Sequence, residues 1–168
     1  MNRLIDRRFR EHPLRYIGQV TLAMVSTLVV LFVSDAVQRT VSIATLGAST
    51  FIAFTMPHKR LSEPKLLIGG YLIGTLTGSL SYAAAVGTGL TERGVIGTEA
   101  MPFFGALAVG LAIFLMVILD TEHPPAAGLA LGYVVNGVSL GKIIALIVAI
   151  VLVSIIKTLL KPMMIDLM

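Results

Sequence analysis

The sequence predicts an all-α membrane protein of six elements, arranged as two inverted three-helix halves with a short or broken second and fifth element. Three observations predict it. Of the 168 residues, 56% are hydrophobic and only 13% charged, with mean hydropathy +0.92, whereas about a quarter of a soluble domain is charged. The apolar runs are divided by loops that hold prolines and charges, and the order long, short, long occurs twice. No polar stretch between Arg15 and Lys161 is long enough for a soluble module, so residues 1–168 read as a single transmembrane domain opened by a basic segment, residues 1–15. Cysteine is absent, which excludes disulfides and thiolate metal sites.

The first element runs from Ile17 to Ser34. Its apolar core, Ile17 to Val33, is longer than a signal-peptide core and lacks a small-residue cleavage site, so it is expected in the mature protein. Arg3, Arg7, Arg8, Arg10 and Arg15 precede it and assign that end to the cytoplasm. No aromatic residues form a platform among these arginines, so they read as a topology signal and not as a nucleic-acid site. The second element, Val41 to Met56, is short of the roughly 20 residues that cross a hydrocarbon core of about 30 Å, and carries Ser42, Thr45, Ser49, Thr50 and Thr55. Pro57 ends it and Pro64 begins the third, Leu66 to Val86, where Gly70, Gly74 and Gly78 recur at a spacing that lets helix backbones approach. The cations of the loop between them read as topology determinants and headgroup contacts, or as a funnel for anions.

The fourth element, Pro102 to Leu119, is uncharged. The fifth, Pro125 to Val138, is too short to span comfortably and holds Gly128, Gly132 and Asn136; the sixth runs from Ile143 to Leu160. Loop charges test whether the short elements cross. With six crossings and the amino end inside, Arg3, Arg7, Arg8, Arg10, Arg15, Lys59, Arg60, Lys65, Lys157 and Lys161 are inside, against Arg39, Arg93 and Lys142 outside. If the second and fifth elements re-entered instead, Lys59, Arg60 and Lys65 would move out and Arg93 in, which weakens the asymmetry. Six crossings with both termini cytoplasmic is the expectation. Three crossings per half is an odd number, so the halves must be inverted, and in such folds the solute site lies where the broken helices meet.

The stretch Asp120-Thr121-Glu122-His123-Pro124-Pro125 sets three ionisable side chains and two prolines between apolar segments. The prolines lack N–H donors and suit a helix's first turn, so a helix begins there. Thr121, or the Glu122-His123 pair, falls in the capping region. Helix amino ends carry partial positive charge and open donors, so Pro125, Ala126 and Ala127 are candidates to meet an anion. The plainer alternative is a surface helix start with solvated acids. His123 fits an anion ligand, a proton carrier or a brace between loops, and with no further matching ligands it is not read as a metal site. Asp120 and Glu122 are candidates for proton coupling, or simply interfacial acids. Thr45 and Ser49 share a helical face, with Ser42 one position around and Thr50 beside them. Their hydroxyls bond the backbone, a neighbouring helix or a small polar solute.

His123-Pro124-Pro125-Ala126, joined to Pro57 through Leu61, Pro64-Lys65 and Leu67-Ile68-Gly69-Gly70, resembles the HPP family of small integral membrane proteins, named for a His-Pro-Pro motif. The resemblance runs from about Leu46 to Leu160. Glu63, Leu66 and Tyr71 stand where the family favours Gln, Asn and His, and Ala126-Ala127-Gly128 replaces the commoner Ala-Gly-Ala. Plant chloroplast and cyanobacterial members are associated with nitrite transport, so the resemblance implies a small monovalent anion as solute.

The expected function is therefore passage of a small inorganic anion, nitrite or a relative, through a protein that needs no cofactor and is not an enzyme. Its site would combine the amino end of the fifth helix, His123 and the hydroxyls of Thr45, Ser49 and Thr50. The expected partners are the lipid bilayer, the anion and further copies of the chain, with no nucleic acid; the expected location is a prokaryotic plasma (inner) membrane. The rival is an accessory or assembly subunit whose glycine faces bind another membrane protein.

Overall fold

The computed structural model describes residues 13–15, 17–19, 21–22, 40–89, 91–92, 95–96 and 100–168. Most of the first expected element, Ile17 to Ser34, lies outside the described residues, as do Arg3, Arg7, Arg8, Arg10, Arg39 and Arg93 and the side chain of Ser42. The described part is all-helical apart from one two-residue ladder.

Helix α1 spans Thr40–Thr55, 16 residues, or about 24 Å. Pro57 follows it, and a 3₁₀ turn at Arg60–Ser62 carries the chain into α2. There the buried Ser62 hydroxyl donates to the carbonyls of Pro57 at 3.1 Å and Lys59 at 2.9 Å. Helix α2, Pro64–Gly87, has its proline in the first turn, where a missing N–H costs no helical bond. Beyond it Thr91–Glu92 and Val95–Ile96 form an antiparallel pair, β1 and β2, with Thr91 opposite Ile96. Helix α3 spans Met101–Ile118, α4 Pro124–Asn136 and α5 Leu140–Leu160. Among the described residues, three helical stretches, Pro64–Gly87, Met101–Ile118 and Leu140–Met163, are long and apolar enough to cross a membrane. Helix α4, with 13 residues and about 20 Å, is not.

The end of α3 is shaped by Asp120, which adopts φ 56°. Its N–H donates to Val117 O at 3.4 Å, and that of Thr121 to Met116 O at 2.9 Å. This paired closure of a helix end places one residue in the left-handed region, where glycine is favoured and Asp is among the better-tolerated alternatives. The chain turns at once, leaving only residues 121–123 before α4. At the other end of α4, Gly137 has φ 70°, and Lys142 Nζ donates to the carbonyls of Asn136 at 2.8 Å and Gly137 at 2.7 Å.

Helix α4 is the hub: it packs on α1, α2 and α3, while α2 also packs on α3 and α5. The glycine repeat makes the α2–α4 contact possible. A Cβ on Gly70 would overlap the His123 side chain, one on Gly74 the carbonyl oxygen of Ala126, and one on Gly78 would lie 2.7 Å from Ala130 O. Contacts that advance together along both chains mean that α2 and α4 run in the same direction. The glycine face is thus filled within the chain. Helix α1 runs opposite to α4, since Ser49 meets His123 while Thr45 meets Gly128.

Ion pairs gather the loops at one end of the bundle. Asp120 accepts from Arg60 and, at 2.8 Å, from Lys65 Nζ; Glu122 lies 3.5 Å from Arg60. The tail after α5 joins the same end. Leu167 N–H donates to Thr55 O at 2.8 Å, and His58 N–H donates to Asp166 at 3.0 Å. The Gln19 side-chain amide donates to Phe54 O and Ile165 O and accepts from Ile165 N–H. Lys157, counted by sequence among the cytoplasmic-side cations, is buried at 2% exposure on α5. Its helix packs against α2 and α1.

Candidate functional site

The site assembles where α1, α2 and the start of α4 meet. Ser49 comes from the middle of α1, Tyr71 from the second turn of α2, and His123 from the residue before α4. All three side chains are completely buried, and Thr45, a turn from Ser49, is 6% exposed. Ser49 Oγ lies 2.8 Å from His123 Nε2 and 3.0 Å from the Tyr71 hydroxyl, and it donates to Thr45 O at 2.9 Å. The Tyr71 and His123 rings are tilted by 41° with centroids 5.8 Å apart. The absence of side chains at Gly69 and Gly70 admits the loop: a Cβ at Gly69 would lie 2.7 Å from Thr121 Cγ2.

Burial drives the imidazole of His123 towards its neutral form, lowering its pKa from 6.5 to about 4. Its Nε2 is engaged by Ser49, while Nδ1 is buried without a hydrogen-bond partner among the described residues. Asp120 stands in a different environment. It is exposed, and its hydrogen bonds from Lys65 and then Arg60 hold its carboxyl below the usual range.

The predicted site residues separate into two groups. His123, Ser49 and Thr45 come together. Thr50 is 5% exposed, but its hydroxyl has no hydrogen-bond partner among the described residues and does not join the cluster. Pro124, not Pro125, is the first residue of α4, and His123 is its N-cap without a side-chain capping bond. The Ala126 N–H, expected to be open, donates to His123 O at 2.9 Å. This three-residue spacing makes the first turn of the helix 3₁₀-like. Glu122, His123, Pro124 and Ala127 line a cavity of about 270 Å³, closed by Ile113, Met116 and Val117 of α3. A Cβ at Gly128 would be in ordinary contact with Thr45 Cγ2, 3.4 Å away, and Gly132 is buried.

Tyr71 is the residue that sequence reasoning missed. Its one signal in the sequence is that it stands where the family favours His. Among the described residues no group of three His, Asp or Glu side chains is arranged to hold a metal ion.

A family model described as the HPP transmembrane region matches residues 9–165. A curated transmembrane protein of Dictyostelium discoideum is 33% identical over 94 residues, which cover 56% of this chain and 30% of that protein. The chain thus spans under a third of the length of this relative. No solved structure matches.

Proposed function

This chain belongs to the HPP family of integral membrane proteins, and on that premise we propose that it carries a small inorganic anion, nitrite or a relative, across the bilayer. The observation that supports the reading is the buried Ser49–Tyr71–His123 cluster, placed where the two shortest helices, α1 and α4, meet. Burying three hydrogen-bonding side chains in an apolar bundle is costly unless they serve one another or a solute. The cluster lies beside the cavity that Glu122 and Ala127 also line.

In this reading the six elements form two inverted halves, with α1 and α4 as the interrupted helix of each. Both termini are cytoplasmic, in a prokaryotic plasma membrane. The opposed directions of α1 and α4 and the shared end of the loops at Arg60, Asp120 and Asp166 support that arrangement. Self-association is carried over from the sequence reading alone. No catalytic turnover is assigned: the cluster holds a histidine and hydroxyls without an acid partner that would activate a nucleophile. The accessory-subunit reading loses its glycine argument, because Gly70, Gly74 and Gly78 are filled by α4 of the same chain. Uptake of a panel of small anions into proteoliposomes is the test. Protein-dependent flux of nitrite is expected, and equal flux of every anion with and without protein would remove the proposal.

A further inference from the structure

The Ser49 hydroxyl has one hydrogen and three polar neighbours, and the direction of its other bonds follows from where that hydrogen goes. A carbonyl oxygen can only accept, so Ser49 donates to Thr45 O at 2.9 Å, the usual back-bond of a helical serine. With the hydrogen there, its oxygen is left to receive that of His123 Nε2, while the Tyr71 hydroxyl bonds both Ser49 and Thr45. With the ring hydrogen on Nε2, Nδ1 of the neutral imidazole is a bare lone pair. It is the ring nitrogen left for an occupant.

A second orphan stands next to it. Glu122 Oε2 is buried without a hydrogen bond among the described residues, and Glu122 and His123 line the same cavity of about 270 Å³. The remaining walls, Ile113, Met116, Val117, Pro124 and Ala127, bring no side-chain donor. The two residues that carry these acceptors thus line the cavity, and among the described residues its other walls lack the donor side chains an anion would need. Arg60, 3.5 Å from Glu122 Oε2, balances the carboxylate, which leaves no charge for a cation to neutralise.

We propose that the Glu122–His123 cavity takes its solute as a small neutral hydrogen-bond donor, the protonated form of a weak inorganic acid, with the solute's hydrogen directed at His123 Nδ1. A bare anion would bring lone pairs to a lone pair and a carboxylate, without the compensation that a buried charge requires. The inference rests on the transport reading and narrows it: each anion takes up one proton on entry and releases it on exit. The groups around His123 do not supply a competing charge. Helix α1 contributes only the hydroxyls of Thr45 and Ser49, α2 contributes Tyr71, and α3 contributes no titratable side chain to the cavity. Asp120 and Glu122 on its own loop are matched by Lys65 and Arg60. His123 itself stays neutral down to about pH 4.

Two measurements on the full chain test this. In protein labelled with ¹⁵N-histidine and held in nanodiscs, with the resonance assigned by loss in His123→Gln, Nε2 is expected to be protonated and Nδ1 bare between about pH 6 and pH 8. A proton on Nδ1 would overturn the inference whatever the flux. In proteoliposomes buffered alike on both sides, protein-dependent nitrite uptake is expected to rise about tenfold per unit fall in pH, following the protonated fraction. Nitrate, the conjugate base of a strong acid, should not be carried. Uptake independent of pH, or nitrate carried as fast as nitrite, would overturn the inference and leave anion transport standing. Absence of flux for both would instead overturn the transport reading, and the histidine tautomer alone would then decide what the cavity accepts.

Discussion

Gly78→Ala should separate α2 from α4, and the structure sets the size of the effect. The added Cβ would lie 2.7 Å from Ala130 O and 2.8 Å from Ala130 Cα. Both are backbone atoms, so no side-chain rotation relieves the overlap. Restoring ordinary contact needs the helices to move apart by about half an ångström to one ångström, and such overpacking typically costs about 1–3 kcal/mol. Replacing glycine by alanine within a helix returns about 0.5–1 kcal/mol, so the net loss should be about 1–2 kcal/mol. Gly74→Ala, which overlaps the Ala126 carbonyl more severely, should cost more. Gly47→Ala and Gly110→Ala are the controls, because a Cβ at either position meets nothing within 4 Å. Reversible unfolding in mixed micelles reads the difference. If Gly78→Ala and Gly47→Ala unfold alike, the close approach of α2 and α4 is wrong.

Ser49→Ala would strip Tyr71 and His123 of their shared hydrogen-bond partner and should destabilise the fold by about 1–3 kcal/mol in the same unfolding assay; an unchanged midpoint would exclude the cluster. The lowered pKa of His123 makes stability fall with acidity. The unfolded chain binds the proton below about pH 6.5 and the folded chain only near pH 4, so across that window stability should drop by something on the order of 3 kcal/mol. Most of that slope should vanish in His123→Gln. Asp120→Asn keeps a residue that tolerates φ 56° but drops the charge that binds Arg60 and Lys65. It should remove salt sensitivity from unfolding above the acid range, with a small change in the midpoint at high salt.

Several features of this fold are local in the sequence. Pro124 and Pro125 announce the start of α4, Pro57 and Pro64 bracket the loop between α1 and α2, and the four-residue rhythm of Gly70, Gly74 and Gly78 marks a close helix contact. None of these names its partner. Ser49 and His123 are 74 residues apart, and their approach follows from the parallel packing of α2 on α4, which sets the loop over Gly69 and Gly70. Tyr71 was visible only as a departure from the family pattern, because its role depends on reaching across to α1. The left-handed Asp120 was hidden for another reason: glycine is the usual signal for such a helix end, and here an aspartate takes the place and reuses its carboxylate to bind Arg60 and Lys65. The burial of Lys157 and the folding back of the tail onto Thr55 and His58 likewise depend on packing, and no periodicity records them.

The most direct test of the central claim is nitrite uptake into proteoliposomes by the unaltered chain and by Tyr71→Phe, which removes one hydroxyl from the cluster and keeps the ring. Uptake well above protein-free vesicles is expected for the unaltered chain, with a loss of about tenfold in the variant, equivalent to about 1.4 kcal/mol. Equal uptake by the two proteins would mean that the Ser49–Tyr71–His123 cluster does not handle the solute. No protein-dependent uptake of nitrite or of any other small anion would contradict the account at its root.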